Sequence, residues 1–550
     1  MRQITIPVLL LLLFATTASS QSTSSFVPDE GISSPLHQAN TGRITFMEKV
    51  IPIETYKAAD FLDSFTLKEG TDLNIRAFLD QSLTNHLHPL APQLSADELA
   101  RTGNYQFSFF VDDKLIYKEE LSPGAGSAAY KHTKTILRVP LISSSNEDSW
   151  GRFLWNRFIM NGGDDAFSAG PHLLKIEMRP YVNNGGIKTG ELLAKGQLKV
   201  NVVKPAVDEK MIRVQHISAG SGFASSTDAY DTALIKTLNR KIAENSFKNI
   251  TSIVVIKDGK LLMEEYFNGA SRNTLHDTRS VGKSFTSALM GIAIKDGYIK
   301  NEQQTLHAFY DLKKYAHYTV KKDSVTIQSL LSMSAAFDGS DDDSNSPGNE
   351  ENMYPTDNWV TFALGLPMRD TAIGAQWNYF TAGVVILGDI LHKAVPGGLE
   401  KYADQKLMQP LGINTREWQY TPQKVVNTAG GIRLRALDLA KFGQLYKDQG
   451  KWKGRSVIPA DWVNTSFSRH LKITGRENEY YGYLFWNKTY HAKGRSCETW
   501  YCSGNGGNKV FICKDQPLVV VITATAYNRS YAHPQADRIM EHYILPAVIR

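Results

Sequence analysis

The chain has 550 residues, too many for a single hydrophobic core, and this length points to two to four domains. With 42% hydrophobic and 21% charged residues it has the composition of a globular protein, which excludes a disordered chain. The net charge of +6 is small for this size, and with no Lys/Arg-rich block there is no case for a nucleic-acid partner.

Residues 1–20 carry Arg2, then the apolar run "IPVLLLLLFA" and the small, polar "TTASS". This is the order of a secretory signal peptide, with Ala18 and Ser20 at small-residue positions before the cut. The apolar run is about half of the roughly 20 residues a membrane span needs, so cleavage is expected rather than anchoring. No later segment is long and apolar enough to span, so no stable membrane insertion is expected after cleavage. The mature protein is expected to be secreted or periplasmic.

Residues 27–205 read as an all-β, sandwich-like accessory domain. "YQFSFFVDDKLIYKEEL" (105–121) gives two alternating strands about an Asp112-Asp113 turn, and 172–182 and 192–203 alternate again. Nothing in this region forms a chemical constellation. The Ser/Gly/Ala-rich stretch that follows is the expected linker, placed at 206–228. A helix at 231–245 and a hairpin at 251–267 with an Asp258-Gly259 turn open the second domain, 229–550. Further helices are expected at 278–299, 381–395 and 435–450, and buried strands at 499–504 and 517–527. Helices set between the strands of an antiparallel sheet make an α+β domain.

The candidate chemistry lies in "TRSVGKSFTSALMGIAIKDGYI" (278–299). Val281, Phe285, Leu289 and Ile292 fall on one apolar stripe, so the helix is buried. Ser280 alone reads as an N-cap. Lys283, three residues on, does not fit that reading, because a cation in the first turn opposes the helix dipole. The conflict is removed if Lys283 is partly desolvated and takes a proton from Ser280, while the helix end favours the oxyanion formed when Ser280 attacks a carbonyl. No other S-x-x-K occurs in the chain.

"SVGKSFTSALMGIAI" resembles the nucleophile helix of the serine beta-lactamase-related hydrolases, the superfamily of class C beta-lactamases, D-alanyl peptidases, family VIII carboxylesterases and 6-aminohexanoate-dimer hydrolases. The resemblance continues in order through "TIQSLLSMSAAFDG" (326–339), where Ala335-Ala336 replaces the usual Ser-Gly. It then passes through "GAQWNYFTAGVVILGDIL" (374–391), "PLGI" (410–413), "GGIRLRALDLAKFGQLY" (430–446) and "CSGNGGNKVFI" (502–512). It implies a beta-lactamase/transpeptidase-like fold, an antiparallel sheet flanked by helices. It also implies Ser280 as nucleophile, with Lys283 and Tyr379 as general base and acid. Thr381, Cys502, Ser503, Gly504 and Asn505 would form the substrate and oxyanion side, the oxyanion lying between the N–H of Ser280 and one near Asn505. Two positions depart from the pattern. Thr381 stands where the family's Y-x-N segment has Asn, and Cys502 stands where its third motif opens with a cation. The second departure disfavours a substrate carboxylate and favours neutral esters or amides. Tyr379, between Trp377 and Phe380, also suits simple core packing.

The implied function is an exported serine hydrolase working on a small-molecule ester, amide or short peptide through an acyl-enzyme, without cofactor or metal. The alternatives are a beta-lactamase or D-alanyl peptidase, and an inactive relative that binds peptide or cell-wall fragments. Several stretches imitate other motifs. "KTG" (188–190) precedes the nucleophile and reads as a turn, and "TDN" (356–358) reads as a helix N-cap. The acidic loop 338–352 lacks EF-hand spacing and reads as a solvated loop near the site entrance. His86 and His88 lack a third zinc ligand in sequence, and no G-x-S-x-G is present. Cys497, Cys502 and Cys513 are the only cysteines; one pair is expected to form a disulfide, with the pairing open.

Overall fold

The computed structural model describes residues 25–49, 55–68, 71–123, 125–142, 150–343 and 346–549. The leader expected at 1–20 lies outside the described residues. The rest divides into two compact units, one up to Val203 and one from Lys204.

The N-terminal unit holds two sheets around one apolar core. Its central ladder is Gly103–Val111 against Gly170–Asn183, extended on one side by Lys114–Glu120 and on the other by Ala194–Val202. The turn at Asp112-Asp113 takes positive φ at both residues (50° and 63°), as a tight turn between twisted strands requires. Ile44–Met47, Leu73–Phe78 and Ile136–Ile142 form the second sheet. Phe46, Ile75 and Val139 from that sheet meet Phe107, Ile176 and Leu198 from the first in the shared core. The "KTG" stretch lies here, on an exposed three-residue strand, Ile187–Thr189.

The C-terminal unit opens with helix α1 (Thr232–Ala243), capped by the Asp231 side chain, and the hairpin β1 (Ile250–Lys257) and β2 (Lys260–Tyr266). The buried helix α2 (Gly282–Lys295) follows. Then come α3 (Thr381–Ala394), α4 (Ala436–Lys447) and four strands, β3 (Trp486–Ala492), β4 (Arg495–Gly504), β5 (Asn508–Cys513) and β6 (Leu518–Ala524). Helix α5 (Ala532–Ile539) comes after β6. The sheet runs β2-β1-β6-β5-β4-β3 with two short strands beyond β3, so the first hairpin pairs with the last strand. All pairings within it are antiparallel.

Alternation along the strands supplies a core on each face. Val254 and Ile256 of β1 point toward α2, α3 and α4, and Ile253 and Val255 toward α1 and α5. Phe285 of α2 stacks on Phe442 of α4 at 3.8 Å, which fixes the helix over the sheet. "TDN" behaves as expected: Asn358 caps the helix Trp359–Gly365 by accepting from the Thr361 N–H at 2.9 Å.

The expected disulfide is not formed; all three cysteines are free and buried. Strand geometry separates Cys502 from the other two, since it faces the α2–α4 core while Cys497 and Cys513 face the α1–α5 core. Cys497 and Cys513 sit near one another across β4 and β5, each touching the Thr499 hydroxyl, and the hydrogen bond with Cys497, then burial, push the Cys513 thiol up.

Candidate active site

Ser280 is not a helix cap. It lies in a single 3₁₀ turn, Arg279–Val281, that feeds α2, and the residue flanking α2 is Val281 in helical conformation with no side-chain cap. Arg279 takes φ +49°, a left-handed conformation uncommon for a residue with a Cβ. It is held there by Asp277, which accepts from the Arg279 backbone and side chain at 3.1 Å, and by the Tyr527 ring beneath the guanidinium. Strain of this kind persists only where surrounding contacts over-determine it, and it gathers at functional sites.

Two glycines make room for the turn. A Cβ on Gly504 would stand 2.2 Å from the Thr278 carbonyl and 3.2 Å from the Ser280 nitrogen. One on Gly430 would stand 2.5 Å from the Arg279 carbonyl and 3.0 Å from the same nitrogen. The end of β4 and the 428–431 segment therefore pack backbone to backbone against the Ser280 peptide, which only glycine permits.

Lys283 is 2% exposed. Its Nζ donates to Ser280 Oγ at 2.8 Å and to the Ala429 carbonyl at 2.8 Å, and among the described residues it forms no ion pair. The Tyr379 ring lies 5.2 Å from Nζ. Burial pushes the Tyr379 phenol up, against the Lys283 charge and a hydrogen bond with the Ser280 side chain, so the phenol carries its proton at neutral pH. Tyr379 also packs, its ring lying 5.6 Å from Trp486 and 6.2 Å from Trp377. Trp377, Trp486 and Tyr481 thereby form an aromatic wall beside Ser280. The ring is anchored in this wall, with Lys283 Nζ 5.2 Å from its centre.

The remaining candidates separate. Gly504 adjoins Ser280 as described. Ser503 faces α5, its Oγ 3.4 Å from His533 Nδ1, and burial followed by the Lys509 charge pushes that imidazole down to about 4, leaving it neutral. The Asn505 side chain is engaged with Asn528, donating to Oδ1 and accepting from its backbone N–H, which fixes the turn after β4. Cys502 is corrected out of the substrate side. Alternation on β4 turns it into the core beside Ser284, and burial pushes its thiol up to about 12. Thr381 is fully buried, and its backbone N–H donates to Asp341 Oδ2 at 2.7 Å.

Asp341 is the residue the sequence reading missed. The acidic loop does not stand off in solvent here: the Asp341 N–H donates to the Tyr379 carbonyl at 2.9 Å, and its carboxylate accepts from Thr381 and from the Glu350 N–H at 2.9 Å. Burial, then Glu350, pushes the carboxyl up to about 6 against the opposing pull of Lys283. Composition marked the loop as acidic, but only the fold places this carboxylate behind Tyr379. Asn508, 1% exposed, was missed too. Its Nδ2 donates to the Asp277 carbonyl at 3.3 Å and to the Asn505 carbonyl at 2.9 Å, tying the chain before Ser280 to the turn after β4.

No curated protein matches the chain. Among solved structures it is similar to an octameric penicillin-binding protein homologue from Pyrococcus abyssi, at 19% identity and TM-score 0.44, covering 56% of this chain and 76% of that one. It is similar to a D-stereospecific amidohydrolase from Streptomyces sp. at 16% identity and TM-score 0.42, covering 53% and 92%. A third is EstCE1, described as a hydrolase with promiscuous acyltransferase activity, at 14% identity and TM-score 0.46, covering 56% and 99%. The family model for Beta-lactamase matches residues 249–543, more than half of the chain and every residue of the site just described. The chain belongs to the beta-lactamase family of hydrolases.

Proposed function

We propose that the protein is an exported serine hydrolase that cleaves a neutral ester or amide through an acyl-enzyme on Ser280. The observation that carries this reading is Lys283, an amine 2% exposed, without an ion pair among the described residues, and 2.8 Å from Ser280 Oγ. Lys131 and Lys322 are as deeply buried and donate to backbone carbonyls, whereas Lys283 donates to a serine hydroxyl as well, the arrangement of a base beside its nucleophile.

In the proposed reaction Lys283 acts as the uncharged amine: Ser280 Oγ bonds to the substrate carbonyl carbon as its proton passes to Lys283 Nζ. The oxyanion is held by the Ser280 N–H and one from the turn at Asn505. The protonated Tyr379 phenol gives its proton to the leaving group as the carbonyl reforms, and water then releases the acid by the reverse route. Export rests on the leader pattern at 1–20.

A neutral substrate is supported by the third-motif strand. Cys502 is turned into the core, and Lys509, opposite Ser503 on β5, is ion-paired with Asp537. The aromatic wall of Trp377 and Trp486 suits an apolar group on one side of the scissile bond.

The test is intact-mass spectrometry after treatment with a fluorophosphonate, which phosphonylates an activated serine with loss of fluoride. Wild type is expected to gain one adduct, and Ser280→Ala and Lys283→Ala to gain none while keeping native circular dichroism. A folded wild type that stays unmodified would overturn the hydrolase reading and leave a binding protein for peptide or cell-wall fragments. Turnover of nitrocefin would place the activity among beta-lactamases.

A further inference from the structure

A second concave site lies in the C-terminal unit and shares no lining residue with the Ser280 site. It is a cavity of about 580 Å³, within the range of small-ligand pockets. Its walls come from the 220–222 segment, Arg272, the 409–414 loop, the start of α4, and Trp452, Lys453 and Arg455 of the hairpin at 451–456.

Its charge is one-sided. Arg272, Arg435, Lys441, Lys453 and Arg455 all line it. Arg272 is matched by Glu264, whose carboxylate its guanidinium grips through Nε at 2.6 Å and again through a second nitrogen. Arg435 and Lys441 must share a single carboxylate, Asp438, at 2.7 and 2.9 Å. Lys453 and Arg455 are exposed and, among the described residues, form no ion pair. Five cations thus face two carboxylates. Helix α4 adds to this: it starts at the cavity wall, and although the Asp438 and Leu439 N–H groups donate to the Arg435 carbonyl, Arg435 supplies no side-chain cap to those of Ala436 and Leu437. Trp452, largely buried, gives the cavity one flat apolar side.

We propose that this cavity binds a compact, multiply charged phosphate group. A single carboxylate would leave the excess of three charges largely unmet, whereas a diphosphate or phosphate monoester brings two or three negative charges and accepts from guanidinium, ammonium and helix N–H donors together. A soluble phosphorylated compound and a phospholipid headgroup present the same chemistry.

The test is calorimetric titration of the full chain with inorganic pyrophosphate at two salt concentrations. Wild type is expected to bind saturably, more weakly at the higher salt, and Arg455→Gln and Lys453→Gln to lose about tenfold each in affinity. Lys451→Gln, on the same exposed hairpin but outside the cavity, is expected to bind as wild type does. No saturable heat, or equal losses in Lys451→Gln and Arg455→Gln, would overturn the site. Co-sedimentation with phosphatidylglycerol vesicles, competed by pyrophosphate, would assign a headgroup as the source. Binding of pyrophosphate without co-sedimentation would assign a soluble compound.

Discussion

Gly504 and Gly430 press on one peptide from two sides, and the consequences are testable one methyl group at a time. In Gly504→Ala the new Cβ would lie 2.2 Å from a main-chain oxygen, so the Ser280 turn must move away from β4. Displacing an oxyanion donor in this way is expected to slow fluorophosphonate labelling by about 100-fold, with Ser280 still present and the secondary structure retained. Asp341 calls for a different measurement. Its carboxyl, pushed up to about 6, ionises across the neutral range within reach of the Lys283 charge and the Tyr379 phenol. The pH profile of labelling is expected to show an inflection near 6 that Asp341→Asn abolishes. The side chains of Ser280 and Lys283 lie 2.8 Å apart, and their pairing was suggested by the sequence because a cation in a first turn contradicts the dipole. Asp341 was not, because one carboxylate in a run of acids carries no pattern until the loop is stitched to Tyr379.

At the scale of elements, two helices of the C-terminal unit lie close to their expected spans, while the buried helix is Gly282–Lys295 against 278–299 and neither the strand Trp486–Ala492 nor the helix Ala532–Ile539 was foreseen. Helix α3 is Thr381–Ala394 against an expected 381–395, and α4 is Ala436–Lys447 against 435–450. Facing on the sheet was harder to read. Cys502 and Ser503 are neighbours in sequence, yet one enters the core and the other meets α5, and the third cysteine shares a face only with Cys497. Glu265 shows how a strand, a helix and an incoming segment are joined. Its buried carboxylate accepts from the Gln215 N–H at 2.8 Å and from Asn239 of α1 at 3.1 Å, and burial pushes it up to about 7 from 4.5. The folded protein therefore binds a proton here that the unfolded chain has released, and stability falls as pH rises from 4.5 through 7. Urea unfolding is expected to show this loss, on the order of 3 kcal/mol when complete, and Glu265→Gln is expected to flatten it.

For the whole molecule, every group in the site belongs to the unit from Lys204 onward, including Asp341, Asn508 and the aromatic wall. A chain of residues 204–550 is accordingly expected to fold and to take the fluorophosphonate adduct at a rate within about threefold of the full chain, as mass spectrometry would show. Residues 27–205 were legible as strands and turns whose two sheets share a core of their own, but the region is β-rich rather than all-β: the helices Ala96–Thr102, Ala128–Thr133 and Trp150–Phe158 lie between its strands.

The clamp around Ser280 also bears on how such a protein changes over generations. Its walls are main chain from segments more than 70 residues apart, so a side chain added at either glycine displaces the peptide that carries the serine. The acidic loop is attached through few hydrogen bonds to the Tyr379 segment. Selection for new substrates would accordingly accumulate its changes in that loop and along the aromatic wall, leaving the turn that carries the serine as the inherited, nearly immutable part.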